Sequence, residues 1–172
     1  MIDTNAINAR QKIDALNQME KWRADGVIML LMPEPAYVEA QAGANAERSA
    51  KAETQLRTNS SRISPEQHQR FSGIEKAVFP NGVTMDSERN DVEIVYQAAD
   101  WGYVLVTNDG DSKTQPRGIL GARRELAELG VSVMRPEEAM EYVRQRIRNR
   151  DERLTSNCAA TGTPEPAWLW ND

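Results

Sequence analysis

The sequence predicts an α/β fold: a central parallel sheet, covered by helices on both faces in three layers. Three observations carry this. Short, continuously apolar runs recur along the chain and have strand length, as expected of strands buried on both faces. Amphipathic segments with helical spacing lie between them. Turn signals (Asp25-Gly26, Gly102 and Gly130) fall where a helix gives way to a strand, and Pro80-Asn81-Gly82 parts two helices.

Taken in order, Met1 to Asp3 can form only the end of a first strand. Ile7, Ile13, Leu16, Met19 and Trp22 form the stripe of a first helix, closed by Asp25-Gly26. Val27 to Met32 reads as a buried strand, and Pro33-Glu34-Pro35 ends it and starts a helix. Residues 36–57 read as one long alanine-rich helix, with Gly43 its weak point. Ser64-Pro65-Glu66-Gln67 is a helix start with a Ser cap, running to about Val78. A helix over about Asn90 to Trp101 leads into the strand Tyr103 to Thr107 and the loop Asn108-Asp109-Gly110-Asp111. Arg117 to Leu129 is helical, Val131 to Met134 is a strand, and Pro136 opens a last helix to about Arg150. The expected organisation is one domain over residues 1–150. Residues 151–172 form a tail that is flexible or docks through Trp168 and Trp170.

Composition narrows the function. The hydrophobic fraction is 40% and the charged fraction 27%, both ordinary for a globular chain, and no apolar run has membrane-span length. The N-terminus does not read as a secretory leader, so a cytoplasmic protein is expected. One cysteine, Cys158, excludes a disulfide framework or a multi-cysteine zinc site, and one histidine, His68, excludes histidine-based triads and histidine-rich metal sites. The net charge of −5 argues against a protein that coats nucleic acid through a broad basic surface. The arginines at 144, 146, 148, 150 and 153 crowd one helix, either as a solvated face paired with acids or as a binding track.

Ligands of open parallel sheets bind at the C-terminal ends of the strands. Several acids fall there: Asp3 ends the first strand, Asp109 follows the strand from Tyr103, Glu39 sits in the helix after Val27 to Met32, and Asp91 stands near the start of the helix leading to Asp109. Carboxylates converging from separate strand ends can hold hard divalent cations, which neutralise a phosphate and activate water. Each acid alone also reads as a helix cap or turn residue. Glu34 could stand in for Glu39. Asp86, Glu88 and Glu93 read as solvent-facing.

The opening Met-Ile-Asp3-Thr4-Asn5 resembles the first motif of PIN domains. The stretch from Asp91 through Ala98, Ala99 and Gly102 to Val106-Thr107-Asn108-Asp109-x-Asp111 resembles their second hallmark. The likeness spans about residues 1–150. It implies a PIN-like α/β/α sandwich and a Mg²⁺- or Mn²⁺-dependent endoribonuclease, cutting RNA by in-line attack of water to leave a 5′-phosphate and a 3′-hydroxyl. It implies metal ligation by Asp3, Asp91 and Asp109, completed by Glu39, with Asp111 auxiliary and Thr4, Asn5 and Thr107 supporting them by hydrogen bonds. Lys113 and Arg117 flank the Asp109 loop, as substrate-phosphate contacts or as ordinary loop residues. The partners it implies are single-stranded or loop RNA and, on the toxin branch of the family, an antitoxin protein; a homodimer is a further expectation. The chain departs from the pattern in three places. Almost no strand precedes Asp3, Ser112 stands where an aromatic is common, and Ser112 to Gly130 is longer than in small toxins. Two further readings stay open: a non-catalytic PIN-like binding or assembly module, and another magnesium-dependent phosphotransfer protein.

Overall fold

The structure is a computed structural model that describes all residues except 8, 9, 43, 59–63, 111–116 and 172. It is mixed α/β and mostly helical, with short parallel strands. Strand β1 (Leu31–Pro33) pairs in parallel with β2 (Leu56–Thr58), Leu31 opposite Leu56. Strand β3 (Leu105–Val106) pairs in parallel with β4 (Val133–Met134), Leu105 opposite Val133. The segment Met1 to Asp3 joins the two pairs. Ile2 N–H donates to the Leu31 carbonyl (2.8 Å), Val106 N–H donates to the Met1 carbonyl (2.8 Å), and Asp3 N–H donates to the Val106 carbonyl (3.0 Å). Ile2 and Val106 form a parallel bridge. Hydrogen bonds therefore link the strands in the spatial order β2, β1, the N-terminal segment, β3, β4.

Eight helices are described among the described residues: α1 (Asp14–Ala24), α2 (Glu34–Ala42), α3 (Ala46–Glu53), α4 (Pro65–Val78), α5 (Asp86–Asp100), α6 (Gly118–Gly121), α7 (Arg123–Glu128) and α8 (Pro136–Thr161). A 3-10 turn, Thr4–Ala6, follows the N-terminal segment. The core is apolar and continuous: Ile2, Met32, Ile74, Ile94, Val95, Leu105, Leu120 and Leu126 are buried together. Helix α5 supplies the largest share of any helix, with Val92 and every residue from Ile94 to Ala99 buried, and it packs on α2, α4 and β1. Helix α1 packs on α8. Among the described residues, no helix is long and apolar enough to cross a membrane.

Several element boundaries differ from expectation. The strand expected from Val27 starts only at Leu31, because the α1 exit turns at Gly26 (φ 75°) and both Val27 and Ile28 N–H donate back to the Trp22 carbonyl. Those residues pack apolar side chains without joining a ladder. The single helix expected over 36–57 is two helices and a strand. Asn45 caps α3, its side chain accepting from Arg48 N–H at 3.0 Å, and β2 follows. The helix expected at 117–129 is divided at Ala122. Helix α5 begins at Asp86 rather than Asn90, because Glu88 caps it: its Oε2 accepts from Thr84 N (2.6 Å), Met85 N (3.1 Å) and Thr84 Oγ1 (2.9 Å). Glu88, expected to face solvent, stays partly exposed while its Oε2 serves as this cap.

The last helix does not stop near Arg150 but runs to Thr161 and ends at Gly162 in the left-handed conformation. The tail returns along it. Leu169 is buried, and Trp168 lies under the Arg150 guanidinium at 4.8 Å. Trp168 and Trp170 themselves stay half-exposed. Arg150 also pairs with Asp151 (2.7 Å) and Arg144 with Glu141 (3.1 Å), so part of the arginine run is engaged within its own helix.

Candidate functional site

Asp3 is the centre of the site. It ends the joining segment and caps the 3-10 turn, and it is 1% exposed. Its Oδ1 accepts from Thr4 N–H at 2.5 Å and its Oδ2 from the Thr107 hydroxyl at 2.7 Å, with Asn5 Nδ2 more distant at 3.4 Å. The Thr107 oxygen also accepts from Asp109 N–H at 2.9 Å. One hydroxyl just past β3 thus ties the Asp3 carboxylate to the backbone of Asp109.

Glu39, on α2, is tied to the same centre. The Thr4 hydroxyl lies 2.8 Å from Glu39 Oε2 and 3.1 Å from the Ala36 carbonyl, and Asn90 Nδ2 donates to Glu39 Oε1 at 3.2 Å. Glu34, the alternative acid, is exposed at the first position of α2. Asp91 sits more than a turn inside α5, correcting its expected place at the helix start. It lines a cleft of about 750 Å³ together with Glu88, Asp109 and Arg117. Val78, Phe79 and Pro80, at the end of α4 and the turn after it, give the same cleft an apolar part. Asp111 and Lys113 lie outside the described residues.

The Asp109 loop is clamped behind the acid. Asp109 Oδ2 accepts from Ile119 N–H and its carbonyl from Leu120 N–H, both at 2.9 Å. Gly110 (φ 86°) and Gly118 (φ 77°) touch across the loop, and a Cβ on Gly118 would stand 2.6 Å from Asp109 Oδ2. Only glycine allows both the positive φ and the close approach.

The charges are felt mutually. Burial, first, raises Asp3 from 3.8 to about 6; the hydrogen bonds from Thr107 and Thr4 oppose it, and the Glu39 and Asp109 carboxylates add to it. Asp91 is raised from 3.8 to about 8 by burial and then by repulsion from Asp109, Asp3, Glu39 and Glu88. No salt bridge among the described residues reaches Asp3, Glu39 or Asp91. Buried acids of this kind are normally neutralised by a proton, a base or a cation. The donor set is entirely of hard oxygens, which suits Mg²⁺ or Mn²⁺. Among the described residues, no three acids already stand at the mutual spacing of a formed cation site.

The structure thus brings Asp3, Thr4, Asn5, Glu39, Thr107 and Asp109 into one bonded group, with Asp91 coupled to it through charge and Arg117 in the adjoining cleft. Sequence reading missed Glu88, Asn90 and the apolar wall. Glu88 was legible as the acid three places after a cap at Met85; Asn90 and Phe79 carried no local signal. No protein-family model matches the chain, and no curated protein matches it significantly.

Proposed function

We propose that this chain is a Mg²⁺- or Mn²⁺-dependent endoribonuclease with a PIN-like three-layer fold, the joined parallel strands forming its central sheet. The observation that carries the reading is Asp3: a carboxylate almost without solvent, anchored by two threonines and surrounded by Glu39, Asp91 and Asp109. The strand order supports it. Successive strands step from the N-terminal segment through β1 to β2 on one side, and from β3 to β4 on the other. Neighbours at such a reversal leave a crevice at their C-terminal ends, where ligands of open α/β sheets bind. Asp3 and Asp109 stand at that crevice.

In this reading Asp3, Glu39, Asp91 and Asp109 hold the cation, and Asp111 is an auxiliary acid. A divalent cation held by these residues would supply charge neutralisation at the phosphodiester and a lowered water pKa. Thr107 orients Asp3 and the Asp109 backbone together, and Thr4 and Asn90 orient Glu39. Asp91, raised to about 8 by burial and by its acidic neighbours, would join them as a ligand on losing its proton. Arg117, and Lys113 with it, meets the substrate phosphate. RNA is the substrate, and an antitoxin protein or a second copy of the chain is the partner this branch of the family suggests.

The test is incubation of the purified protein with a panel of RNA and single-stranded DNA in Mg²⁺, Mn²⁺ or EDTA. Cleavage should need a divalent cation and vanish in Asp3→Asn and Asp109→Asn proteins whose circular dichroism is unchanged. Undiminished cleavage by the doubly substituted protein would refute the assignment. Calorimetric titration with Mn²⁺ should show binding to the wild type; a non-catalytic module would give none.

A further inference from the structure

The cleft beside the acids has a mixed lining: Glu88, Asp91, Asp109 and Arg117 share it with Val78, Phe79 and Pro80, and the turn residues Asn81 and Gly82 line it too. The apolar wall is held by a tight turn, in which Gly82 N–H donates to the Phe79 carbonyl at 2.9 Å, Pro80 occupies the first corner and Gly82 has φ 86°. Phe79 N–H is in turn bonded to the Glu75 carbonyl at 2.7 Å, so this wall continues the end of α4 rather than a loose loop. Phe79 packs partly against the core and is half-buried. At about 750 Å³ the cleft is larger than a cation and its water shell require.

A polynucleotide has a similarly mixed chemistry: an anionic backbone beside apolar ring faces. We propose that Phe79 and Pro80 form a nucleobase subsite, against which one base next to the scissile phosphate is laid while its backbone passes between Arg117 and the acids. This rests on the nuclease reading above and adds to it how the substrate is selected. A base can reach the wall only when it is unstacked, so the subsite selects single-stranded or looped RNA over duplex. An aromatic face accepts every base, so the selection is for strand state rather than for sequence.

The experiment compares wild type with Phe79→Leu and Phe79→Trp, using a short fluorescein-labelled single-stranded RNA and the same RNA carrying one abasic position beside the cleavage site. Stacking on an aromatic contributes about 5- to 100-fold in affinity. Phe79→Leu keeps apolar bulk but loses the ring face, so KM for the intact RNA should rise within that range. Phe79→Trp should restore it, and the effect should fall on KM rather than on kcat. The abasic RNA should raise KM for wild type and leave the Leu variant little changed. Equal KM values for all three proteins on intact RNA would overturn the subsite while leaving the nuclease reading standing. Binding measured in Ca²⁺ by fluorescence anisotropy separates the other failure. RNA binding that depends on Phe79 without any cleavage retains the subsite and removes the nuclease, and no binding by any of the proteins removes both.

Discussion

Replacing Asp91 by Asn should stabilise the cation-free protein. Asp91 ionises near 3.8 in the unfolded chain and near 8 in the fold, because it is largely desolvated and is repelled by Asp109, Asp3, Glu39 and Glu88. Below pH 3.8 both states hold the proton and Asp91 has no effect. As pH rises the unfolded chain releases its proton first, so stability falls until the folded group ionises near pH 8 and is constant beyond. At about 1.36 kcal/mol per pH unit, the loss by neutral pH has a ceiling of about 4 kcal/mol. Side-chain movement toward the open cleft returns part of it, so Asp91→Asn should gain about 2 kcal/mol at pH 7.5 in EDTA. For a domain of this size that is about 4–8 °C in Tm. Calorimetry across pH 5 to 8 should show the wild type losing stability with rising pH more steeply than the variant. Mn²⁺ should reverse the order, raising Tm of the wild type more than that of the variant, since a bound ligand stabilises only the state that holds it. A variant no more stable than wild type in EDTA, with the same pH slope, would refute the idea that Asp91 is a buried acid awaiting a counter-charge.

Thr107→Val removes the donor to Asp3 and the acceptor for Asp109 N–H. It should cost about 1–3 kcal/mol in denaturant unfolding. Because the Thr107 bond holds the Asp3 pKa down, its loss should also move the acidic limb of the kcat/KM profile to higher pH. Gly118→Ala would press a methyl group on Asp109 and Gly110, and should abolish cleavage along with about 2 kcal/mol or more of stability. Gly26→Ala, with a similar φ and open space around it, should cost about 1 kcal/mol and leave cleavage intact in the same assay. Leu169→Ala should lower stability by about 2 kcal/mol or more if the tail is docked as its burial indicates, read from the urea midpoint; an unchanged midpoint would show an undocked tail.

What could be read from the sequence divides on physical lines. Asp3, Thr107 and Asp109 are legible because a parallel sheet delivers its strand ends to one edge, and short motifs mark those ends. Glu39 could be distinguished from Glu34 only in space, by the contacts with Thr4 and Asn90. Strand β2 left no trace because, among the described residues, it pairs with β1 alone, and Leu56 and Arg57 face solvent. The strand expected from Val27 was too long because apolar side chains can pack from a turn as well as from a ladder. The start of α5 was misjudged because its first turn is polar and its cap is a side chain reaching back from Glu88. The apolar wall of the cleft, made by the end of one helix and the turn after it, has no periodicity to find.

The strip from Met1 to Asp3 bears on biosynthesis. The groups it bonds to in β3, and the hydroxyl that anchors Asp3, lie late in the chain; Thr107 is 104 positions downstream. During translation the segment from Met1 to Asp3 must therefore wait until Thr107 has emerged before the strands can close. The acid pocket cannot exist before that closure. In the nuclease reading, a nascent chain that has not yet exposed Thr107 carries no assembled acid pocket.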